Sequence, residues 1–332
     1  MKLTSLAAAC LSFALAGAPL AGPLANAALA ETAYPDKAVT IVVPFSAGGT
    51  ADIIARMAAE HFQKKFGQPF VVENIGGGGG VSGVEKVTRA APDGYTLVLA
   101  STSNLAVHPT LYGAKFPYQT LRDLKPIGQV SVVPNVLVIN PDKIAARSVP
   151  ELIAYLKANP DKVSFGSAGT GTTQNLAGEL LMQRTGTQMV HIPYKGSSAM
   201  LPDLLAGNVE LAFDNVPLLL PHVKSGKLVA LAVATPERQD FDKNLPTVAE
   251  TIPGFEATAW HGFLAPAGTP DAVTDKLSAE LQTFMKQPET VKKMQELGMT
   301  PVSSTPEQFA DLIKTMTAQW KEVIEKGNIK PQ

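Results

Sequence analysis

The sequence has one cysteine, Cys10. It lies in an N-terminal stretch that reads as removable, which leaves the rest of the chain without a thiol for a disulfide, a thiolate metal site or thiol catalysis. An excess of charge is also missing. Lys+Arg 28 against Asp+Glu 29 gives −1, and removal of Lys2 would take −1 to −2. A balance so close to zero argues against a nucleic-acid partner or an electrostatic hold on a membrane surface. No apolar run reaches the ~20 residues of a bilayer span, because Pro19, Gly22 and Pro23 interrupt the only candidate. Heptads, short-period repeats and low-complexity tracts are absent. Neither G-x-S-x-G, Walker A nor H-E-x-x-H occurs, and His61, His108, His191, His222 and His261 are scattered without metal-ligand spacing. The sequence therefore calls for no metal, no cofactor and no catalytic residue.

What is there begins with a leader. Lys2 is the only charge before Glu31, and Leu3 to Ala16 is apolar, the n-region and h-region of a secretory signal peptide. Ala25-Asn26-Ala27 and Ala28-Leu29-Ala30 both offer the A-x-A cleavage pattern, and Ala30 is the favoured site, giving residues 1–30 as leader. Ala7-Ala8-Ala9 before Cys10 lacks the leucine of a lipoprotein signal. The expected product is exported to the periplasm, monomeric, and at ~300 residues large enough to divide into two domains.

From Ala38 onward, β-branched runs alternate with amphipathic helical stretches. Val39 to Val43, Phe70 to Val72 and Tyr95 to Leu99 read as strands, separated by helices over Ala51 to Lys65 and through Val84 to Val87. The pattern recurs. Strands are expected at Val136 to Ile139, Val163 to Phe165, Val190 to Ile192, Glu210 to Phe213 and Leu228 to Val233. Helices are expected at Val149 to Ala158, Gln174 to Gln183 and Ala199 to Ala206. After Phe255 the strand signal fades into a largely helical tail, with Gly298 as a helix C-cap. This is an α/β chain with mostly parallel sheet. It divides into lobe 1 (31–132 plus 254–332) and lobe 2 (133–253), crosses between them twice, and has its cleft where the strand ends face each other.

Three polar turns follow strands. Phe45-Ser46-Ala47-Gly48-Gly49-Thr50-Ala51-Asp52 opens a helix, so its amides and the helix N-terminus can hold a carboxylate without lysine or arginine. The alternative is a plain turn with Thr50 as N-cap. Asp52 is read as bracing this loop rather than as a base. Ala168-Gly169-Thr170-Gly171-Thr172-Thr173-Gln174-Asn175 supplies glycines for close approach and hydroxyls that can donate to a carboxylate oxygen. Ser101-Thr102-Ser103-Asn104 is the third. Gly78-Gly79-Gly80-Val81-Ser82-Gly83 satisfies G-x-G-x-x-G in form, but it lies in the second βα unit and no acidic residue closes the next strand. It is read as a flexible turn.

These segments resemble the Bug, or TctC-like, family of extracytoplasmic receptors for tripartite tricarboxylate transporters. The likeness rests on Ile41-Val42-Val43-Pro44-Phe45 with Ala47-Gly48-Gly49 and Asp52, Val72-Glu73-Asn74, Asp93-Gly94-Tyr95-Thr96-Leu97 and Pro109-Thr110-Leu111-Tyr112. It continues through Gly169-Thr170-Gly171-Thr172, Leu176-Ala177-Gly178-Glu179, Pro193-Tyr194-Lys195-Gly196, Asp203 to Gly207, and Trp260-His261-Gly262-Phe263 with Pro266 to Pro270. The resemblance implies a type II periplasmic-binding-protein fold that closes like a flytrap. It also implies a carboxylate held by two facing loops, Phe45 to Asp52 and Ala168 to Asn175, and membrane subunits of a transporter as partner. The candidate binding set is Phe45, Ser46, Ala47, Gly48, Gly49, Thr50, Asp52, Ser101, Asn104, Ala168, Gly169, Thr170, Gly171, Thr172, Asn175 and Asp214. Two departures stand out: Asn175 replaces a common histidine and should point toward the cleft, and Ile75-Gly76-Gly77 replaces a Lys/Arg-Pro-Gly stretch, changing only a surface turn.

The expected ligand is a small organic, amino or aromatic acid, with Phe45 suited to an apolar body. Two other readings compete: a ligand sensor for a signalling partner, which differs in partner and not in site, and a secreted ester or amide hydrolase using Ser46, Ser101 or Ser167, which lacks a visible base in sequence.

Overall fold

A computed structural model describes residues 34–327. The leader, its cleavage site and Cys10 lie outside the described residues. No helix among the described residues is long and apolar enough to cross a membrane.

β1 (Val39–Val43) is flanked by β2 (Phe70–Asn74) and β3 (Thr96–Ser101), both parallel to it. Lying between neighbours, it can be apolar on both faces, and Val39, Ile41, Val42 and Val43 are fully buried. α1 (Thr50–Phe66) follows β1. It buries Ile54, Ala55, Ala58 and Phe62 along one stripe, and the left-handed Gly67 ends it. α2 (Val81–Thr88) connects β2 to β3. Short helical turns, including a π-helical turn at Ser103–Val107, lead from β3 to the strand that organises the molecule.

That strand, β4 (Leu124–Ile139), is 16 residues long. Its first part pairs antiparallel with β9 (Thr258–Pro266) and β10 (Thr300–Pro301), on the side of β1 to β3. Its last residues pair antiparallel with β7 (Leu211–Asn215) and β8 (Val229–Val233). α3 (Val149–Ala158), β5 (Ser164–Ser167), α4 (Thr173–Thr185), β6 (Val190–Pro193), α5 (Ser197–Ala206) and α6 (Val216–Lys224) complete this second half, with β5 parallel to β6 and β7. The strand order is β2-β1-β3-β9-β4-β7-β5-β6. Parallel units are therefore joined through an antiparallel centre, where sequence periodicity predicts mostly parallel sheet.

Each half has its own core. Val42, Val98, Leu105, Trp260, Phe309 and Ile313 pack together in the first, where α9 (Pro306–Gly327) returns across the sheet after α7 (Asp271–Lys286) and α8 (Pro288–Glu296). In the second, the two-residue period of β4 sends Leu137 and Ile139 into one cluster with Phe165 and Phe213, and Val136 and Val138 into another with Met200 and Val216. Each such side chain stabilises its half by about 1.5–3 kcal/mol when fully buried.

Candidate functional site

The parallel strands β1, β3 and β5 each end at one of the polar turns, and the fold brings all three turns to one place. A cavity of about 30 Å³ lies there, lined by Phe45, Gly49, Thr50 and Ala51 after β1, by Ser101 and Ser103 after β3, and by Ala168, Thr173 and Gln174 after β5. Ser197, Asn215, Ala259 and His261 complete it. No lysine or arginine lines it.

The wall from the first half presents donors. Gly49 is the N-cap of α1 and supplies no side-chain cap, so the first-turn amides have no partner within the helix. Thr50 was the alternative N-cap. It is not the cap: it is the first helical residue, 5 % exposed, and its Oγ1 has no hydrogen-bond partner in the protein. Asp52 ties the turn from behind. Its Oδ2 accepts from the Gly48 amide at 2.9 Å and from Arg56 Nε at 2.9 Å, and its Oδ1 accepts from Asn74 Nδ2 at 3.0 Å. Burial pushes this carboxyl up, but the hydrogen bonds from Arg56, Gly48 and Asn74 outweigh it and hold the group below its ordinary range. Asp52 is a brace, and it does not line the cavity.

The loop after β5 is largely satisfied by itself. Thr172 Oγ1 donates to the Gly169 carbonyl at 2.7 Å and accepts from the Asn175 amide, capping α4. Asn175 Oδ1 accepts from the Gly171 amide at 2.9 Å while its Nδ2 reaches Glu179. The Asn175 side chain thus turns back on its own loop and helix and does not line the cavity. Gly169, Thr170, Gly171 and Thr172 also stay behind the cavity wall, and the residues of this loop that reach it are Ala168, Thr173 and Gln174. Asn104 is buried as well: its Oδ1 accepts from Ser101, and its Nδ2 donates to the Gly79 carbonyl at 2.8 Å.

Ser46, Ala47 and Gly48 lie at the rim, where the halves touch. Ser46 Oγ and Ser198 Oγ are 2.6 Å apart, Ser198 Oγ donates to the Ala47 carbonyl at 2.7 Å, and the Ser46 amide donates to the Lys195 carbonyl at 3.2 Å. His108 reaches from the first half to the Thr170 carbonyl at 3.0 Å, and the Thr173 amide donates to Ser103 Oγ at 3.2 Å. The glycine run is part of this contact and not a flexible turn. Gly79 lies so close to Thr170 that a Cβ there would come within 2.6 Å of its carbonyl oxygen. Ile75 likewise packs against the first core and donates its amide to Val43, so that stretch is more than a surface turn.

Asp214 is fully buried at the end of β7. Its Oδ1 accepts from Ser197 Oγ at 2.7 Å, Gln174 Nε2 at 3.2 Å and the Asn215 amide at 2.6 Å, and its Oδ2 has no partner in the protein. Burial raises this carboxyl to about 6 despite those bonds. Burial also holds His261, which lines the cavity, down to about 4 and therefore neutral at pH 7.

Sequence reasoning missed Ser197, Asn215, Ala259 and His261 as lining residues and named Ser103, Thr173 and Gln174 only as members of their loops, although Ser197-Ser198 follows β6 as the other polar turns follow their strands. Among the described residues, Ser167 alone of the three candidate nucleophiles is hydrogen-bonded to a histidine, His191 Nε2 at 2.7 Å; Ser101 pairs across the sheet with His261, but its Oγ donates to Asn104. Ser167 is fully buried and its Oγ is already bonded to both the amide and the carbonyl of Gly169.

Residues 54–329 match the family model described as Tripartite tricarboxylate transporter family receptor. Protein BugT of Bordetella pertussis is 37% identical over 99% of each chain. Among solved structures, the periplasmic binding protein BugD is 36% identical with a TM-score of 0.85, covering 90% of this chain and 100% of its own. Rpa4515 of R. palustris with adipate is 32% identical with a TM-score of 0.87 over 90% and 100%. MatC from Rhodopseudomonas palustris with bound malate is 28% identical with a TM-score of 0.83 over 88% and 100%. The α/β periplasmic-binding-protein fold expected from the sequence is the fold of these proteins.

Proposed function

The chain belongs to the tripartite tricarboxylate transporter receptor family, and on that premise we propose that it is a periplasmic solute-binding protein that captures a small carboxylate between the two halves of its sheet. The observation that carries this reading is Thr50. A buried hydroxyl without a partner costs about 1–3 kcal/mol, and this one stands beside uncapped helix amides in a cavity shared by both halves. A carboxylate seated there satisfies the hydroxyl and the amides together.

In this reading the halves act as lobes, 31–132 plus 254–332 against 133–253, and ligand enters when they part, since about 30 Å³ has room for little more than water. The leader directs export, and the loaded receptor delivers its ligand to the membrane subunits of a transporter. It has no chemistry of its own. The hydrolase alternative gains a serine and histidine pair, Ser167 and His191, but a fully buried serine offers no nucleophile to a substrate. A thermal-shift screen of organic, amino and aromatic acids against the mature protein tests the proposal. A true ligand at ~100 Kd adds about 2.7 kcal/mol of stability, and a panel that leaves the melting temperature unchanged throughout rejects the reading.

A further inference from the structure

The two walls of the cavity differ in what they can offer, and the difference traces to Asp214. Both walls carry an uncapped helix start, Gly49 before α1 and Gly196 before α5, and the first half adds the unpartnered Thr50 hydroxyl. The second half brings Ser197, Gln174 and Asn215. Each of these three bonds to the same buried oxygen, Asp214 Oδ1, through its hydroxyl, its side-chain amide and its backbone N–H respectively.

These bonds fix which atoms remain for a ligand. A serine hydroxyl has one proton. Ser197 spends it on Asp214, so only lone pairs are left for the cavity. Gln174 Nε2 is held between Asp214 Oδ1 and Asn215 Oδ1, the latter at 3.1 Å, which settles the orientation of both amides and leaves Asn215 Nδ2 as a donor on this wall. Behind these groups stands the carboxyl itself, 0 % exposed, with Oδ2 accepting nothing from the protein. No cation offsets it, since its three protein partners are all neutral. Such a wall repels a second anion and attracts a donor.

We propose that Asp214 is a specificity-determining positioning residue: it fixes the Ser197 hydroxyl as an acceptor and sets a buried negative charge behind the second-half wall, so the site prefers carboxylic acids that also carry a hydrogen-bond donor, a hydroxyl or an ammonium group. This inference rests on the carboxylate-receptor reading and sharpens it. With burial lifting the carboxyl only to about 6, the group is largely ionised at neutral pH and the wall keeps its sign.

Matched acids that differ only in the donor test it: propionate, lactate and alanine; succinate, malate and aspartate; glutarate, 2-hydroxyglutarate and glutamate. Isothermal titration at pH 7.5 should find the hydroxy or amino member of at least one set bound 10-fold or more tighter than its plain partner. In Asp214→Asn, where an amide N–H₂ replaces one oxygen and the negative charge is gone, that ratio should fall to near 1. A variant that is folded by circular dichroism but keeps the wild-type ratio overturns the role of Asp214. If Asp214→Asn does not fold, the wild-type ratios decide alone, and plain acids bound as tightly as their donor-bearing partners overturn the inference while leaving the receptor reading intact. Binding of none of the nine acids overturns the inference, and the receptor reading falls with it only if the wider screen of organic, amino and aromatic acids also finds no ligand. Separate titrations with lactate and alanine tell which of the two donor groups is selected.

Discussion

Ser198 Oγ donates to the carbonyl oxygen of Ala47 at 2.7 Å, joining the first turn of α5 to the loop that opens α1. The two residues are 151 positions apart in the chain, so this bond exists only while the halves are in contact. The neighbouring Gly196 makes the approach possible: its φ is +145°, and a Cβ there would lie 2.8 Å from the Ser46 amide nitrogen.

Gly196→Val should therefore obstruct closure at the rim without touching either core. Its affinity for a carboxylate identified by the screen should fall at least 10-fold, about 1.4 kcal/mol. Solution scattering should show the wild type more compact with ligand and the variant unchanged. Wild-type affinity and compaction in the variant would mean that rim contact is not part of binding.

The Asp52 brace gives a second expectation. Asp52→Ala frees the Gly48 amide and leaves Arg56 and Asn74 without their shared acceptor. Removing one member of a buried hydrogen-bonded set costs about 1–3 kcal/mol, so the variant should melt lower and bind more weakly. Thr172→Val should lower stability by about 1 kcal/mol through loss of a helix cap, without adding a large specific loss of affinity once that is accounted for. Urea titration of both variants, with and without ligand, separates the two effects. Thr172→Val with full stability and no binding would move that hydroxyl back into the site.

The sequence was most informative where one rule acts locally. Val39 to Val43 announces a buried strand, and the Gly48-Gly49 turn announces a helix start, because strand apolarity and turn chemistry are read residue by residue. β9 was illegible by the same rules. Its Gly262, Ala265 and Pro266 carry weak strand propensity, yet it is paired on both sides and buried from Ala259 onward because β3 and β4 close over it. Of β4, the sequence pattern shows only Val136 to Ile139, since Pro126 and Pro134 interrupt it at positions where pairing with β9 tolerates them. In the site, residue types located the loops but could not say which hydroxyl faces inward. Thr172 and Thr173 are adjacent, and only the cap geometry, a tertiary outcome, turns one into the helix and leaves the other on the cavity wall.

Burial gives stability a pH dependence with a definite sign. His108 and His261 are held at about 4 by burial, against ~6.5 in an unfolded chain. Their folded pKa values are depressed, so the unfolded chain binds the extra protons, and the stability they contribute is complete above ~6.5 and lost as pH falls toward 4. Each term is on the order of 3 kcal/mol. Asp214 acts in the opposite sense: raised to about 6, its contribution is present at low pH and fades as pH rises through 6. The histidine terms are the larger pair, so the melting temperature should drop between pH 7 and pH 4.5, and His108→Gln should shallow that drop. A curve that is flat or rising toward acid, or identical in His108→Gln, contradicts this assignment.

The most direct test of carboxylate capture by the first-half wall is Thr50→Val, read in two ways on the same protein. Because Thr50 Oγ1 is buried with no partner in the protein, removing it should leave the melting temperature of the ligand-free protein unchanged or raise it. Because the hydroxyl is available to a bound carboxylate, titration calorimetry should show affinity weakened by about 1–3 kcal/mol. A variant that binds every carboxylate as tightly as the wild type contradicts the account, as does one that loses stability and affinity in equal measure.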